Sequence, residues 1–412
     1  MKILLTSDTY YPMVNGVVIS TGNLYKQLKS MGHEVRILTL SITGEEKIDG
    51  DIYYLKSFGV NIYPDVRAKA IFHNKLVKKI IEWKPDIIHS QTEFSTMFVS
   101  KKIAKKLNIP HIHTYHTLYE DYLKYIFKGK LISKDMSTRL TRILLNSLDG
   151  LIVPTLKVKN ILLQYGIKKN MFVIPTGIDI NRFKNKINKE EKEKLLKQLD
   201  IRNKKILVYI GRIAEEKNIE EVIRYFKKAE ERNSNIVLLI VGGGPYLEKL
   251  KALTQELHLE AKIKFSGMVK PEEVYKYYQL ATAFVTSSTS ETQGLTYIEA
   301  LASGIPVVCR NDACIADLIV NDENGFTYVN EQEFVDAVIS VTIEENNLER
   351  LCLNSCKKAE EYSTLAFGNN VLKAYEKTLF HFHHARRKPY NIAAYKIKGY
   401  AVKIKKLYKE SF

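Results

Sequence analysis

Cysteine is scarce in this chain, four in 412 residues. Cys309, Cys314, Cys352 and Cys356 show no zinc-type spacing, so the simple expectation is a reduced, cytosolic setting. Long apolar runs are missing too: nothing approaches the ~18 apolar residues of a membrane span. The apolar start at Met1 is too short for a signal peptide and reads as a first strand. No internal repeat and no long low-complexity stretch is present, which excludes a solenoid. Gly242-Gly243-Gly244-Pro245 lacks the glycine spacing of a dinucleotide-binding turn, so no nicotinamide cofactor is inferred. A nucleic-acid-binding motif is also lacking. Acid is nearly absent from the end of the chain, where residues 381–412 hold nine Lys and Arg against one Glu.

The length suits two domains, and a hydrophobic share of 45% suffices for real cores. The net charge of +17 is unevenly spread: +11 over residues 1–180, −2 over 181–380 and +8 over 381–412. A basic first half and a basic tail around a near-neutral middle predict an anionic partner, either a membrane or a nucleic acid. The plain alternative is a lysine-rich composition that only aids solubility.

Short β-branched segments alternate with helical patterns throughout, which predicts an α/β protein with parallel sheets. The most informative stretch is Ser287–Pro306. Ala281–Thr286 before it and Ile305–Cys309 after it read as buried strands, Gly294–Ala302 reads as a helix, and Gly304 suits its end. Ligands of such sheets bind outside the carboxyl ends of the strands. The amides of Gln293, Gly294 and Leu295, free at a helix start, would meet an anion there. Glu299 lies among Ile298, Ala300 and Leu301 and needs a partner; the vicinal hydroxyls of a ribose would supply one. Glu291, nearer the strand end, would accept from a second sugar. The bland alternative is one acid at a helix start and one solvated helix acid.

Elsewhere, Gly16 follows Asn15 at a helix start, where a phosphate would approach the backbone closely, unless it is an ordinary turn. Gly243 stands in a triple glycine at the end of the Asn235–Val241 strand, open to a ligand in the same way. Arg212 and Lys217 follow the Lys205–Ile210 strand, and two cations there fit a diphosphate; surface pairing with Glu215 and Glu216 is the alternative. His116 falls where the Ile109–His116 strand should end, facing a cleft, or else is a satisfied structural histidine.

Two basic amphipathic stretches are membrane candidates. In residues 65–84, Ile71, Phe72, Leu76, Ile80 and Trp83 recur at helical spacing with lysines off the stripe, which fits either a core-facing helix or one lying on anionic lipid. In the tail, Ile397, Tyr400, Ala401, Ile404 and Leu407 share one arc with lysines outside it, although Gly399 weakens that helix by ~1 kcal/mol.

Ser287–Pro306, with Glu291 and Glu299 in their strand, loop and helix context, resembles the signature of the retaining family-4 glycosyltransferases. This chain has Gln293 where many members have Phe. The Arg212 and Lys217 pair, the Gly16 loop and Pro175-Thr-Gly-Ile-Asp179 extend the resemblance over nearly the whole chain. It implies a GT-B fold: two Rossmann-like domains facing across a cleft. These would be an acceptor and membrane-facing domain at 1–180, a nucleotide-sugar domain at 181–365, and a crossover helix with basic tail at 366–412. It further implies Glu299 on the ribose, Glu291 and His116 on the donor hexose, Met268 and Val269 at the base, and Gly16, Arg212 and Lys217 at the diphosphate. No metal is bound in such enzymes, and magnesium would act only as a stimulant.

Ser290–Ala300 and Thr114–Thr117 resemble the diacylglycerol glucosyltransferase subgroup. That implies transfer of a hexose, glucose, from UDP-glucose to diacylglycerol by a peripheral enzyme on the cytoplasmic face of the membrane. Rival acceptors are a phosphatidylinositol-type lipid, a lipid-linked oligosaccharide or a capsule glycan. The rival of another class is a non-catalytic basic adaptor.

Overall fold

The computed structural model describes residues 1–13, 15–59, 67–68, 74–116 and 134–385. The amphipathic tail lies outside these residues.

The chain builds two parallel sheets in succession. Strands β1 (Lys2–Ser7), β2 (Glu34–Leu40), β3 (Lys47–Asp49), β4 (Ile52–Leu55), β7 (Ile87–Ser90), β8 (His111–Thr114), β9 (Gly150–Val153) and β10 (Met171–Val173) form the first. Its order is β10-β9-β8-β7-β1-β2-β4-β3, with only β3 antiparallel. A separate two-stranded pair joins β5 (Phe58–Gly59) to β6 (Arg67–Ala68). Strands β11 (Lys205–Ile210), β12 (Ile236–Val241), β13 (Ile263–Gly267), β14 (Ala283–Thr286), β15 (Val307–Arg310) and β16 (Gly325–Tyr328) form the second, ordered β13-β12-β11-β14-β15-β16.

These sequences make interior strands because both faces are apolar. All six residues of β12 are buried. Successive side chains alternate between two cores: Val208, Ile210 and Leu239 enter one, while Leu207, Tyr209 and Leu238 enter the other.

In the first sheet, helix α1 (Gly16–Ser30) covers one face with Leu24 and Leu28. Helices α2 (Lys75–Trp83) and α3 (Ser95–Leu107) cover the other. Helix α4 (Lys134–Asn146) joins β8 to β9, and helix α5 (Leu156–Gln164) follows β9. The long helix Thr364–Ala385 comes back from the second sheet and packs Phe367, Val371 and Tyr375 beside α1.

Of the two readings of 65–84, the core-facing one holds for the described part. Among the described residues the helix begins at Lys75, capped by Asn74. Leu76 and Ile80 are spent on the core with Leu38, Ile88 and Ile103. A stripe already buried, at about 2–3 kcal/mol per large side chain, is not available to lipid. Ile71 and Phe72 lie outside the described residues.

Each sheet reverses its strand order once, between β1 and β7 in the first and between β11 and β14 in the second. At such a switch the adjacent loops part and leave a crevice. Both switch points carry ionisable groups.

Candidate active site

At the switch of the second sheet, the loop after β11 holds Arg212, and a short 3-10 turn, Glu215–Lys217, holds Lys217. The loop after β14 holds Glu291. Lys217 Nζ donates to Glu291 Oε1 at 2.5 Å, and Ser288 Oγ donates to the same oxygen at 3.0 Å. Arg212 pairs with Glu216, whose carbonyl accepts from Ser290 Oγ at 3.1 Å. The alternative of pairing with neighbouring acids thus holds for Arg212, whereas Lys217 reaches across the switch to Glu291. Each acid keeps a cation from standing bare in a half-enclosed site, and each cation retains donors for an incoming anion.

The helix Leu295–Ala302 starts directly after this loop. Gly294 caps it at φ 74°, and a Cβ there would sit 2.6 Å from the Tyr297 ring, so the turn requires glycine. Among the described residues, the amides of Gln293, Gly294 and Leu295 donate to no protein acceptor. The Gln293 side chain has a role the sequence did not suggest. It is buried, its Oε1 accepts from the Thr176 amide at 2.7 Å, and its Nε2 donates to the Thr176 carbonyl at 2.8 Å.

Glu299 is half-buried on the helix Leu295–Ala302. Tyr278 Oη lies 3.0 Å from its Oε2 and 3.1 Å from the Thr296 carbonyl. The single phenol proton is shared between these two acceptors. Burial pushes the Glu299 carboxyl up to about 7, against the Tyr278 hydrogen bond and nearby Arg182, which lower it. The expected partner is therefore half supplied, and the second carboxyl oxygen remains for a ligand.

Gly243 and Met268 are neighbours: a Cβ on Gly243 would lie 2.7 Å from Met268 Cγ. Met268 is 83% exposed at the end of β13, and Val269 is half-buried beside it. The triple glycine also has a structural cause. A Cβ on Gly242 would lie 1.9 Å from the Gly211 carbonyl, so the loops after β11 and β12 pack backbone to backbone. Gly16 is exposed at the first turn of α1. The second turn reaches the same cleft, because Ser20 Oγ lies 3.1 Å from Thr176 Oγ1.

The first sheet presents a different wall. Its strand β8 ends at Thr114, two residues before His116. His116 Nε2 lies 2.9 Å from Gln91 Oε1, and burial with His113 nearby lowers its pKa to about 3, so it is neutral. His113 contacts Glu93 Oε1 at 3.2 Å and Ser90 Oγ at 2.9 Å, and Ser90 Oγ lies 2.8 Å from His111 Nε2. If Glu93 accepts from His113 Nε2, then Ser90 donates to His113 and accepts from His111 Nε2. His111 Nδ1 is then a bare acceptor, and it has no partner in the structure. Burial holds His111 at about 3 and His89 well below its usual value. His89 Nδ1 meets Tyr375 Oη of the returning helix at 2.7 Å.

Asp8, just past β1, was not singled out from the sequence. It accepts from Thr92 Oγ1 at 2.5 Å and from the Thr96 amide at 2.9 Å, and burial raises it to about 6. The available signal was an acid directly after an apolar strand.

Three residues of the first sheet's side grip the loop that carries Glu291, two through side chains and one through its backbone. Thr155 Oγ1 donates to the Thr292 carbonyl at 3.1 Å. Lys157 Nζ donates to the Thr289 carbonyl and to both oxygens of Asp312, each at 2.9 Å. Thr176 holds Gln293. Glu291 is thereby positioned from both layers. Among the described residues, no group of three or more His, Cys, Asp or Glu converges to hold a metal, and no helix is long and apolar enough to cross a membrane.

Comparison with known proteins agrees with this arrangement. Residues 14–182 match the family described as Glycosyltransferase Family 4, and residues 188–359 match Glycosyl transferases group 1. The chain is 37% identical to the alpha-monoglucosyldiacylglycerol synthase of Streptococcus pneumoniae, over 91% of this chain and 85% of that protein. It is 31% identical to the synthase of the same name from Acholeplasma laidlawii, over 92% and 96%. Among solved structures, Anabaena HepE in complex with UDP superposes with a TM-score of 0.72 at 17% identity, over 92% of this chain and all of that one. With both halves matched and the fold shared, the chain belongs to the family-4 glycosyltransferases and is an enzyme of the GT-B fold.

Proposed function

We propose that this enzyme transfers glucose from UDP-glucose to the 3-hydroxyl of 1,2-diacylglycerol with retention at the anomeric carbon. It would act as a peripheral protein on the cytoplasmic face of the cell membrane. The observation that carries this reading is the 37% identity, over 91% of the chain, to a protein named alpha-monoglucosyldiacylglycerol synthase.

The cleft supports the donor half. Glu299 has one carboxyl oxygen that ribose hydroxyls would reach, and Met268 and Val269 would flank the base. Arg212, Lys217 and the amides of residues 293–295 stand where a diphosphate would arrive, with the exposed first turn of α1 at Gly16 across the cleft. Glu291 and the free Nδ1 of His116 lie on opposite walls, where both would accept from hexose hydroxyls. HepE, the structural relative, was crystallised with UDP.

In the proposed reaction the bond from the anomeric carbon to the β-phosphate oxygen breaks, and the acceptor oxygen bonds to that carbon on the same face. The acceptor's proton passes to the departing phosphate oxygen. Lys217 and Arg212 stabilise the negative charge that develops on the leaving group. No bound metal is needed in this scheme, and magnesium would only stimulate it.

The test is transfer from radiolabelled UDP-glucose to diacylglycerol in anionic mixed micelles, with Glu299→Ala and Arg212→Ala as controls. Labelled glycolipid from the wild type alone supports the reading. Slow UDP-glucose hydrolysis without glycolipid keeps the transferase and discards the acceptor.

A further inference from the structure

Helix α4 carries large aliphatic residues on the wrong side. Its inward face is supplied by Leu145, fully buried with Met97, Leu151 and Val153. On the outward face Met136, Leu140 and Ile143 are 53%, 57% and 61% exposed. At ~100° per residue the three fall within an arc of roughly 60°, on the side away from Leu145. Arg139 and Arg142 are exposed beside that arc, and Asp135 is the helix's one acid. Lys101 Nζ of α3 donates to the Leu144 carbonyl at 3.4 Å, so α3 runs alongside. It adds Phe98, 51% exposed, and the exposed Lys105 and Lys106.

A continuous exposed aliphatic stripe flanked by cations marks a docking surface. We propose that the outward face of α4, with Phe98 of α3, is the surface through which this enzyme sits on anionic lipid. The occupant follows from charge. Residues 1–180 carry a net +11, and arginines border the stripe. A helix of this kind lies in the headgroup region with its aliphatic side chains in the acyl boundary and its cations on lipid phosphates. α2 has the stronger amphipathic signature in sequence but keeps its stripe in the core, so α4 takes the role. The inference deepens the proposed function by placing the lipid-facing surface.

Vesicle co-sedimentation tests it without donor or turnover, using full-length protein and phosphatidylcholine vesicles with or without phosphatidylglycerol across a salt series. Wild type should bind the anionic vesicles and lose them at high salt. The Leu140→Asp/Ile143→Asp variant should bind at least about tenfold more weakly. Arg139→Ser and Arg142→Ser should each cost about fivefold. Lys75→Ser/Lys79→Ser on α2 should cost less than either. Unchanged thermal unfolding and UDP-glucose affinity would show that the double aspartate variant is folded.

Wild-type-like vesicle binding by that variant would overturn the proposal. So would loss of a dimer in that variant with vesicle binding intact, since the face would then cover a second copy. Binding through α4 with no glycolipid in the micelle assay would leave this surface standing and remove the acceptor. Glycolipid synthesis in micelles, with vesicle binding indifferent to α4, would do the reverse.

Discussion

The two walls of the cleft solve the problem of polar groups at a sheet's carboxyl end in opposite ways. The second sheet offers charge: Lys217 paired with Glu291 at 2.5 Å, Arg212 with Glu216, and Glu299 poised near neutrality. The first, apart from the buried Asp8, offers neutral imidazoles: His89, His111 and His116 are held uncharged by burial, and each has a hydrogen-bond partner from the sheet, its loops or the returning helix. A wall of paired charges can rearrange around a diphosphate because its cations have spare donors. A wall of buried imidazoles cannot accept charge cheaply, and so it suits an uncharged ligand.

If the charged wall bears the chemistry, Lys217→Ala should lower kcat by about 10²–10³ with the fold intact. A loss smaller than that of His116→Ala would reverse the comparison. Glu299→Gln should weaken UDP-glucose binding by roughly ten- to a hundredfold, the scale of a charged hydrogen bond.

The same carboxyl sets a pH dependence. With Glu299 at about 7 in the free enzyme, binding that needs the ionised form should strengthen as pH rises towards 7. Below that value it should release close to one proton. Titration calorimetry in buffers of different ionisation enthalpy would measure this, and Glu299→Gln should abolish it.

The grip between the walls can be cut without touching either. Lys157→Met should lower kcat about tenfold with little change in donor affinity, because Glu291 would lose its hold from the first layer. Equal loss of donor affinity would place Lys157 in binding rather than positioning. His116→Ala should cost about tenfold or less, as befits one neutral hydrogen bond.

Stability should also diverge between the walls, most mildly of all. Groups whose folded pKa lies below the ordinary 6.5 of histidine bind protons mainly in the unfolded chain. The first sheet should therefore lose stability as pH falls from about 6.5 towards 3, with Asp8, raised to about 6, offsetting part of the loss. Glu299 has the opposite sign, so the second sheet should gain between about 7 and 4.5. Hydrogen exchange near pH 5 and pH 7.5 should show the first sheet opening earlier in acid.

Much of the second wall was legible. Its strands are apolar on both faces, so they appear as short unbroken runs, and Gly294 and Gly304 mark the helix between two of them. Arg212, Lys217, Glu291 and Glu299 all follow from that frame, because a residue just beyond a parallel strand has little choice of place. The first wall was harder. His111, His113 and His116 are indistinguishable by type, and only strand β8 ending at Thr114 places the last of them beyond the sheet. Asp8 meets Thr92 across 84 residues, and Lys157 meets Asp312 across 155. Such pairs leave no local signature.

The sequence by itself determined the period-two and helical patterns, hence two parallel sheets, the loops at their carboxyl ends and the charged residues in them. Tertiary structure decided which patterned face is spent on the core and which is left outside. α2 and α4 are both basic amphipathic helices, but burial depends on the neighbours a stripe meets. Leu76 and Ile80 meet β7 and α3, whereas Leu140 and Ile143 point away from the sheet. Periodicity records that a helix has two faces; the packing of the whole layer selects the one that is buried.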